Sequence, residues 1–386
     1  MFQMAVGHSD DIDPEVVVEE LVEQCTRSLD RAQPNAGLLF STYDTQLEPL
    51  ISGLRAAYPD VDLVGTTSQA EISSTGGFRE DSVTLALFAS DTVETSAGIG
   101  EGVAASPEAA ARQALEQAAA GVREAPQLAI ALPCITGDDP SRLLRELELA
   151  LGDVPVLGGG SAPRTPPGEP LRARQFHNDR ILEDAAPILL FSGPLESSFG
   201  IDTGWRPVGR RGRITDAGPS TIRRIDDEPA LAFYQRYLGE AMAPTPANPL
   251  AIFEDDPADF YLRVPIAADE HGSVRVAGGV PNGANVQLTV GMTDEIFAGT
   301  RSAVRKAVEG FGNGGMLGAA LIFSCAIRKL VLGTRTGREL DIVRHTLGAS
   351  VPICGFYCYG EIAPIASGSS RFHNETIVAV LLGESA

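Results

Sequence analysis

One order of structural features occurs three times along this 386-residue chain. Each copy opens with an apolar strand and a small polar turn, continues through a helix, a strand and a second helix, and then reaches a strand that runs into a glycine-rich turn. The openings are MAVGHSD, TSAGIGE and LTVGMTD, at Met4–Asp10, Thr95–Glu101 and Leu288–Asp294. The turns are VGTTSQAE, VLGGGSAP and CGFYCYGE. Self-similarity of this kind indicates a fold built from repeated supersecondary units.

Helix and strand signals divide each copy further. Asp13–Pro14 and Ser106–Pro107 are N-cap and first-turn pairs, and amphipathic patterns follow them. The expected helices are 14–31, 45–58, 107–122, 140–151, 294–309 and 337–347. The expected inner strands are Gly37–Ser41, Leu128–Leu132 and Ala320–Ser324, and the closing strands are Ser82–Phe88, Ala185–Phe191 and Thr376–Leu382.

These elements predict an α/β fold of repeated βαβαββ units. Helical crossovers imply parallel strand pairing, and we expect the last two strands of each copy to form an antiparallel hairpin. Each mixed sheet then carries helices on one face only. Because the bare faces must be buried, we expect the sheets to pack in an α–β–β–α layered arrangement.

The segment Ser198–Asn285 departs from the pattern. It opens with FGIDTGW, contains a predicted helix near Glu228–Leu238, and then becomes β-rich. The expected strands are Pro249–Glu254, Phe260–Val264, Ser273–Ala277 and Val286–Val290. We interpret the segment as a β-rich insertion or a diverged fourth unit. The chain is thereby divided into residues 1–225, with two units, and residues 226–386, with the insertion and the third unit.

Charge and composition exclude several functions. The net charge of -21 disfavours broad contact with nucleic acid or with anionic membranes. The sequence contains no long apolar run typical of a membrane span and no basic region at its N-terminus typical of a secretory signal. Five cysteines, an odd number without a disulfide-rich layout, indicate a reducing compartment. These features predict a cytoplasmic protein.

The glycine-rich turns are the first candidates for a binding site, because α/β sheets bind ligands where parallel strands end. Phe-His-Asn returns beside two of these turns, with His177 in the second copy and His373 in the third, and we interpret these places as corresponding. Either histidine could bond a neighbouring carbonyl, with the asparagine capping a turn, or it could face a pocket. The third copy is preferred because Tyr357, Tyr359 and Glu361 follow its turn.

An amino-acid-like ligand needs opposite charges in its site. Glu361 could meet an ammonium group, and Arg328 or Arg371 could bind a carboxylate through two hydrogen bonds. The thiols of Cys325, Cys354 and Cys358 could hold zinc or supply a nucleophile, but burial as small apolar residues is the preferred interpretation. We predict neither a catalytic residue nor a metal site.

The predicted binding residues form two sets. The main set consists of Cys325, Arg328, Tyr357, Tyr359, Glu361, Arg371, His373 and Asn374. The secondary set, in which backbone N–H groups at Gly158–Ser161 or Gly65–Ser68 could bind an anion, consists of Thr66, Thr67, Ser68, Gly159, Gly160, Ser161, His177 and Asn178.

The C-terminal part of the chain resembles a FIST C-terminal domain. The residues that carry the resemblance are LIFSCAIR, GFYCYGEIAP and RFHNETIV, preceded by IRRIDDEPALAFYQRYLG and VRVAGGVPNGANVQL. The segment from LLFSTYD to VGTTSQAEIS is similar to the FIST N-terminal domain. Together the two resemblances cover nearly the whole chain.

The resemblance implies a bacterial sensory protein that binds a small molecule, such as an amino acid, and passes the signal to a separate partner such as a kinase. It also implies an alternative, a haem-binding nitric oxide sensor with His373 or His177 as axial ligand. A hydrolase using Cys325 and His373 and a ligand-free interaction scaffold are further alternatives. We expect no enzymatic activity, because no nucleophile elbow of the Gly-x-Ser-x-Gly type is present.

Overall fold

The computed structural model describes residues 2–42, 45–135, 140–163, 172–239, 241, 243–254, 259–312, 315–365 and 370–385. Within them the chain forms three α/β units of the same topology and one β-rich insertion. The three units correspond to the three copies predicted from the sequence, although the start of the third lies elsewhere.

The first unit shows the common topology. Its elements are β1 (Gln3–Ser9), α1 (Pro14–Leu29), β2 (Ala36–Thr42), α2 (Leu47–Ala57), β3 (Asp62–Ser68), β4 (Glu71–Ser73), β5 (Gly77–Arg79) and β6 (Val83–Ala89). Strands β2 and β3 are parallel, and β6 lies antiparallel between β1 and β2. The predicted hairpin of the last two strands is therefore wrong, because β6 returns to the far side of β2 instead of pairing with β3. Asp13 caps α1 as predicted, accepting a hydrogen bond of 2.9 Å from the N–H of Glu15.

The second unit repeats this order. Its elements are β7 (Glu94–Glu101), α3 (Pro107–Ala119), β8 (Pro126–Ala131), α4 (Ser141–Leu151), β9 (Val156–Gly159), β10 (Gln175–His177), β11 (Arg180–Leu182) and β12 (Ala185–Ser192). Strands β8 and β9 are parallel, and β12 lies antiparallel between β7 and β8.

The third unit begins before the insertion and continues after it. Its elements are β13 (Leu195–Asp202), α6 (Thr293–Gly310), β22 (Met316–Cys325), α7 (Ala326–Leu332), a 3₁₀ turn (Gly333–Arg335), α8 (Arg338–Leu347), β23 (Ile353–Cys358), β24 (Glu361–Pro364), β25 (Ser370–His373) and β26 (Ile377–Glu384). Strands β22 and β23 are parallel, and β26 lies antiparallel between β13 and β22.

The insertion separates β13 from α6. Its elements are β14 (Trp205–Ala217), β15 (Thr221–Ile225), β16 (Glu228–Pro229), α5 (Ala230–Leu238), β17 (Leu250–Phe253), β18 (Tyr261–Arg263), β19 (Pro265–Ala268), β20 (Val274–Val276) and β21 (Asn285–Gly291). Every strand pairing recorded in its sheet is antiparallel. The interpretation of Ser198–Asn285 as a diverged fourth unit is therefore wrong, because the segment lacks the parallel βαβ core that defines a unit.

The opening strand predicted for the third copy is also wrong. The segment Leu288–Asp294 belongs to β21 of the insertion and to the start of α6. The glycine equivalent to Gly7 and Gly98 is Gly200 in β13, not Gly291. A Cβ atom at Gly98 or at Gly200 would lie 2.0 Å from a helix carbonyl oxygen, so both strands need glycine where the unit's first helix crosses them.

The turn glycines also have a common cause. A Cβ atom at Gly65, Gly158 or Gly355 would lie 2.1, 2.0 or 2.0 Å from a carbonyl oxygen of the neighbouring parallel strand. No side chain fits at that distance, so the three glycines keep each pair of parallel strands in register. The repeated glycine that revealed the three copies is thus a packing requirement of the fold.

The short hairpins exchange between the units. The hairpin β4–β5 of the first unit pairs with β23 of the third, β10–β11 of the second pairs with β3 of the first, and β24–β25 of the third pairs with β9 of the second. Each unit therefore gives a hairpin to one neighbour and receives one from the other. This closed exchange produces three six-stranded sheets.

The three sheets face one common core. Phe40 of the first unit stacks on Phe356 of the third at 4.4 Å between ring centroids, and Phe88 meets the ring edge of Phe191 of the second at 5.2 Å. Helices cover the opposite face of each sheet with separate apolar clusters. The predicted layered packing, in which helices lie outside sheets that face each other, is confirmed, and a third sheet completes the core.

No helix among the described residues is long and apolar enough to cross a membrane.

Candidate functional site

A cavity of about 420 Å³ lies between the insertion and the strand ends of the second and third units. Strands β22 and β23 run parallel, and their final residues, Cys325 and Cys358, are register partners. Both line the cavity, together with Ser161, which follows β9. The cavity thus lies where parallel strands end, as expected for ligand sites of α/β sheets.

The insertion forms the opposite wall. Its contribution is mostly apolar and comes from β19, β20 and the residues beside them: Val264, Pro265, Ile266, Val276, Ala277 and Gly278. The remaining apolar lining comes from Ile135, Pro140, Pro163, Ala173, Pro246, Ala326, Ile327 and Phe372. An apolar cavity of this size with few polar groups is typical of small-molecule sites.

The floor of the cavity carries two thiols. Cys325 is 3% exposed and Cys358 is fully buried. Burial, and next to it the neighbouring Glu361 carboxyl, raises the pKa of both thiols well above the ordinary value. The thiols therefore stay protonated at neutral pH and present a soft, weakly polar surface instead of a nucleophile.

Glu361 lies beneath this floor and does not line the cavity. One of its carboxyl oxygens accepts hydrogen bonds from the N–H (3.0 Å) and hydroxyl (2.7 Å) of Thr376, and the other accepts one from the Cys358 thiol at 3.3 Å. Burial raises the pKa of Glu361 to about 7, although the bonds from Thr376 act in the opposite direction. A carboxyl group so enclosed is not available to the ammonium group for which we predicted it.

Glu361 has counterparts in the other units. The strand pairings place Glu71 opposite Phe356, Glu361 opposite Gly159 and Gln175 opposite Thr66, which are equivalent positions of the three sheets. Gln175 donates to the Ser161 hydroxyl at 2.9 Å, as the hydroxyl of Ser68 donates to Glu71. The sequence did not reveal this set, because a longer segment separates turn and hairpin in the second unit.

Polar groups also line the cavity above the floor. Tyr359 is partly buried, and burial raises the pKa of its phenol, which therefore remains a hydrogen-bond donor. Asn374 joins the third unit to the insertion, since its amide oxygen accepts from the N–H of Val264 at 3.2 Å. Arg275 of β20 is exposed and lines the cavity from the insertion.

Arg328 and Tyr357 lie in a buried network away from the cavity. The Arg328 guanidinium donates to Glu339 at 2.7 Å and to the carbonyl of Ile296 at 3.1 Å, and the Tyr357 hydroxyl donates to Glu339 at 2.7 Å. The Arg328 side chain is 0% exposed. The predicted role of Arg328 as a carboxylate clamp is wrong, because its hydrogen-bonding groups are committed inside the protein.

Arg371 is committed as well. Its guanidinium forms two hydrogen bonds with Glu254, at 2.6 and 3.1 Å, and lies 4.9 Å from the ring centre of Tyr261. These residues line a separate, more polar cavity of about 430 Å³. Phe372 lines both cavities.

The two Phe-His-Asn segments do not correspond in the structure. His373 ends the second strand of its hairpin and pairs with Glu361, whereas His177 ends the first strand of its own hairpin. The predicted equivalence is therefore wrong, because the same three residues occur at different hairpin positions. Asn178, in the turn between β10 and β11, accepts a hydrogen bond from the N–H of Leu63 in β3 at 3.0 Å.

Neither histidine fits an axial ligand for haem in the cavity. His373 bonds the carbonyl of Ala363 at 3.0 Å, and burial lowers the pKa of its imidazole to about 4. His177 lies in the hairpin on the first sheet, where burial also lowers its pKa, and neither residue lines the cavity. Among the described residues no cluster of three metal-ligating side chains occurs.

The predicted anion sites in the secondary set are contradicted. The N–H of Thr67 donates to the carbonyl of Arg174, that of Gly160 to Gly360 and that of Ser161 to Pro133, at 2.8 to 2.9 Å. The exchanged hairpins and neighbouring turns thus occupy the backbone groups. Among the secondary residues, Thr66 and Ser68 are fully buried, and a side chain at Gly159 would collide with Cys358. Ser161 lines the cavity.

Of the main predicted set, Cys325, Tyr359 and Asn374 line the cavity. Sequence reasoning missed the whole wall that the insertion contributes, Arg275 included. The insertion was recognised only as a break in the repeat, and nothing in its sequence indicates which strand faces the third unit.

A family model described as FIST N domain matches residues 35–228, and one described as FIST C domain matches residues 230–364. FIST domains are in general sensory domains that bind small ligands in signalling proteins. No curated protein sequence matches the chain.

Among solved structures, the cyanuric acid hydrolase from A. caulinodans is 10% identical, with 100% of both chains covered and a TM-score of 0.37. A second cyanuric acid hydrolase structure is 9% identical, with the same coverage and TM-score. PurLQS from Thermotoga maritima is 11% identical over 99% of this chain and 72% of its own, with a TM-score of 0.25. Similarities at this level carry no information about what this chain does.

Proposed function

This chain belongs to the FIST family, and from that premise we propose that it is a cytoplasmic sensory protein that binds a small ligand in the cavity above Cys325 and Cys358. The observation that carries the proposal is the position of the cavity, between the insertion and the ends of parallel strands. A ligand there would contact two parts of the chain at once. Binding would therefore favour one arrangement of the insertion over others.

Asn374 supports this coupling. It follows β25, and its side chain bonds the backbone of Val264 in the insertion, while both residues line the cavity. A ligand that displaces either residue changes a contact between the insertion and the third unit. The signal then passes to a separate partner protein, such as a kinase.

The chemistry of the floor supports binding instead of catalysis. Both thiols have raised pKa values and stay protonated, and the His373 imidazole is bonded to a backbone carbonyl. The five cysteines are free and buried, which agrees with a reducing compartment. The division into residues 1–225 and 226–386 remains part of the proposal, with β13 of the third unit and β14 and β15 of the insertion contributed from the first part.

A thermal-shift screen with small metabolites tests the proposal, because a ligand that binds only the folded state raises the melting temperature by mass action. Ala277→Phe, which places a ring in the cavity, should abolish the shift produced by any stabilising metabolite. Ala119→Phe in α3, exposed and outside the lining, is the matched control and should retain it. The proposal fails if no metabolite stabilises the protein, or if Ala277→Phe binds as the unsubstituted protein does.

A further inference from the structure

We propose that the ligand is a monocarboxylate with an apolar body, whose carboxylate binds Arg275 while the body enters the cavity. The inference rests on the proposed function and names the ligand class for the same site. It depends on three observations: a lining arginine whose side chain has no hydrogen bond or ion pair among the described residues, an apolar interior, and the lack of an acidic group among the described lining residues.

Arg275 differs from the other arginines near the cavity. Arg263 donates to the carbonyls of Gly279 at 2.8 Å and Phe372 at 3.0 Å, and Arg371 is paired with Glu254. The Arg275 side chain makes no hydrogen bond or ion pair with the residues that the structure describes. A guanidinium binds a carboxylate through two parallel hydrogen bonds, so Arg275 is the group that an anionic ligand would meet.

The charge of the whole chain makes this cation distinctive. With a net charge of -21, the protein repels anions in general. An anionic ligand therefore needs a local cation free of competition from nearby carboxylates. Among the described residues that line the cavity, Arg275 is a cation and none is an aspartate or glutamate.

The interior favours an apolar body. Val276, Ile327 and Phe372 line the cavity, and its volume of about 420 Å³ lies in the range of small-molecule sites. The side-chain polar groups of Asn374 are committed to protein partners. A hydrocarbon chain or ring would therefore displace water from apolar walls without leaving many polar groups unpaired.

An amino acid fits this cavity less well than the corresponding acid without the amino group. Its ammonium group would lose hydration on entering the cavity and find no carboxylate among the described lining residues. Glu361 lies under the floor and is bonded to Thr376. Glu148 and Glu254 line the other cavity, where Glu254 is already paired.

The test uses three matched probes with the 386-residue chain: 3-phenylpropionate, its neutral amide, and phenylalanine, which adds an ammonium group to the same skeleton. Octanoate and octanamide form a second pair without a ring. Affinities are measured by isothermal titration calorimetry, for the unsubstituted protein and for Arg275→Gln. Arg210→Gln, an exposed position of β14 outside the cavity, changes the net charge equally and serves as the control.

We expect at least one acid to bind about tenfold more tightly than its amide and more tightly than phenylalanine, since a hydrogen-bonded charge pair contributes on that order. Arg275→Gln should abolish the preference for the acid, and Arg210→Gln should retain it. Equal binding of acid and amide, or an unchanged preference in Arg275→Gln, overturns the carboxylate inference while the cavity remains a binding site. If metabolites of another class stabilise the protein and neither acid binds, the carboxylate inference is also overturned and the cavity remains a binding site. If Ala277→Phe leaves all binding intact, the proposed function itself fails.

Discussion

The buried pair of Arg328 and Glu339 gives the sharpest prediction about what holds the third unit together. The two side chains are 0% and 1% exposed and lie 2.7 Å apart. Arg328 also donates to Thr300 at 2.9 Å and to the carbonyls of Thr203, Ile296 and Glu375. It therefore connects α7, α8, the start of α6, the turn before β26 and the point where the insertion leaves β13.

Replacing Arg328 by methionine keeps much of the volume but leaves the Glu339 carboxylate without its cation. Removing one partner of a buried ion pair costs about 3–5 kcal/mol, because the remaining charge stays out of water. Arg223–Asp216 of the insertion is the matched exposed pair, with side-chain exposures of 46% and 41%. The corresponding Arg223→Met should cost about 0–1 kcal/mol.

Urea unfolding measures both values. Trp205, the only tryptophan, is 2% exposed and lies 5.9 Å from the Arg328 guanidinium, so its fluorescence reports on this region. Arg328→Met combined with Glu339→Gln should be less destabilised than the sum of the single variants, since the second change removes the stranded charge. If Arg328→Met costs less than about 1 kcal/mol, the network does not stabilise the third unit and the reasoning is refuted.

Three further predictions concern the glycine, carboxyl and thiol positions. Gly355→Ala should destabilise the protein by about 1–3 kcal/mol or more, because the added Cβ would lie 2.0 Å from a strand carbonyl oxygen. Gly337→Ala, whose Cβ would have no atom closer than 3.8 Å, should be nearly neutral in the same urea assay, and equal effects of the two changes would contradict the packing argument. Burial raises the pKa of the Glu361 carboxyl from 4.5, its value in the unfolded chain, to about 7. Between these pH values the unfolded state loses the proton first, so Glu361 lowers the free energy of unfolding as pH rises. The difference in stability between Glu361→Gln and the unsubstituted protein should therefore grow from pH 4.5 to about 7 and then level off, and a constant difference refutes the assignment. Cys325 and Cys358 have raised pKa values, so in the folded protein at pH 8 they should resist a reagent that labels thiols by disulfide exchange, and they should react after unfolding. Rapid labelling of either thiol in the folded protein would contradict their burial.

The repeated unit could be predicted because its signals are local. N-caps, prolines in first turns, amphipathic periods and turn glycines lie within a few residues of the elements they specify, as Asp13 does for α1. The helices predicted at 294–309 and 337–347 correspond to α6 and α8. What failed was the start of the third unit, because LTVG in β21 imitates an opening strand while β13 is separated from its helix by the whole insertion.

The hairpin exchange could not be predicted from such signals. β4 pairs with β23, which is distant in sequence, and neither strand carries a pattern that specifies its partner. Short strands gain their stability from the sheet they join, not from their own propensity. For the same reason the burial of Arg328 and His373 could not be predicted: their residue types suggested a site, but their burial is decided by non-local packing.

The position of the insertion explains why the candidate site belongs to the third unit. The three units share one topology, and Ser68, Ser161 and Cys358 occupy equivalent strand ends. Ser68 and Cys358 are both fully buried and bonded to the glutamate of the adjacent hairpin, but only Cys358 and Ser161 line the cavity, and Ser68 does not. In the third unit the chain leaves after β13, builds a separate sheet and places β19 and β20 over the strand ends of β22 and β23. The three interlocked sheets form one side of the cavity, and the insertion forms the other. The proposed sensory role requires a ligand that contacts both sides, because a ligand can shift only an equilibrium between states that differ at its own contacts.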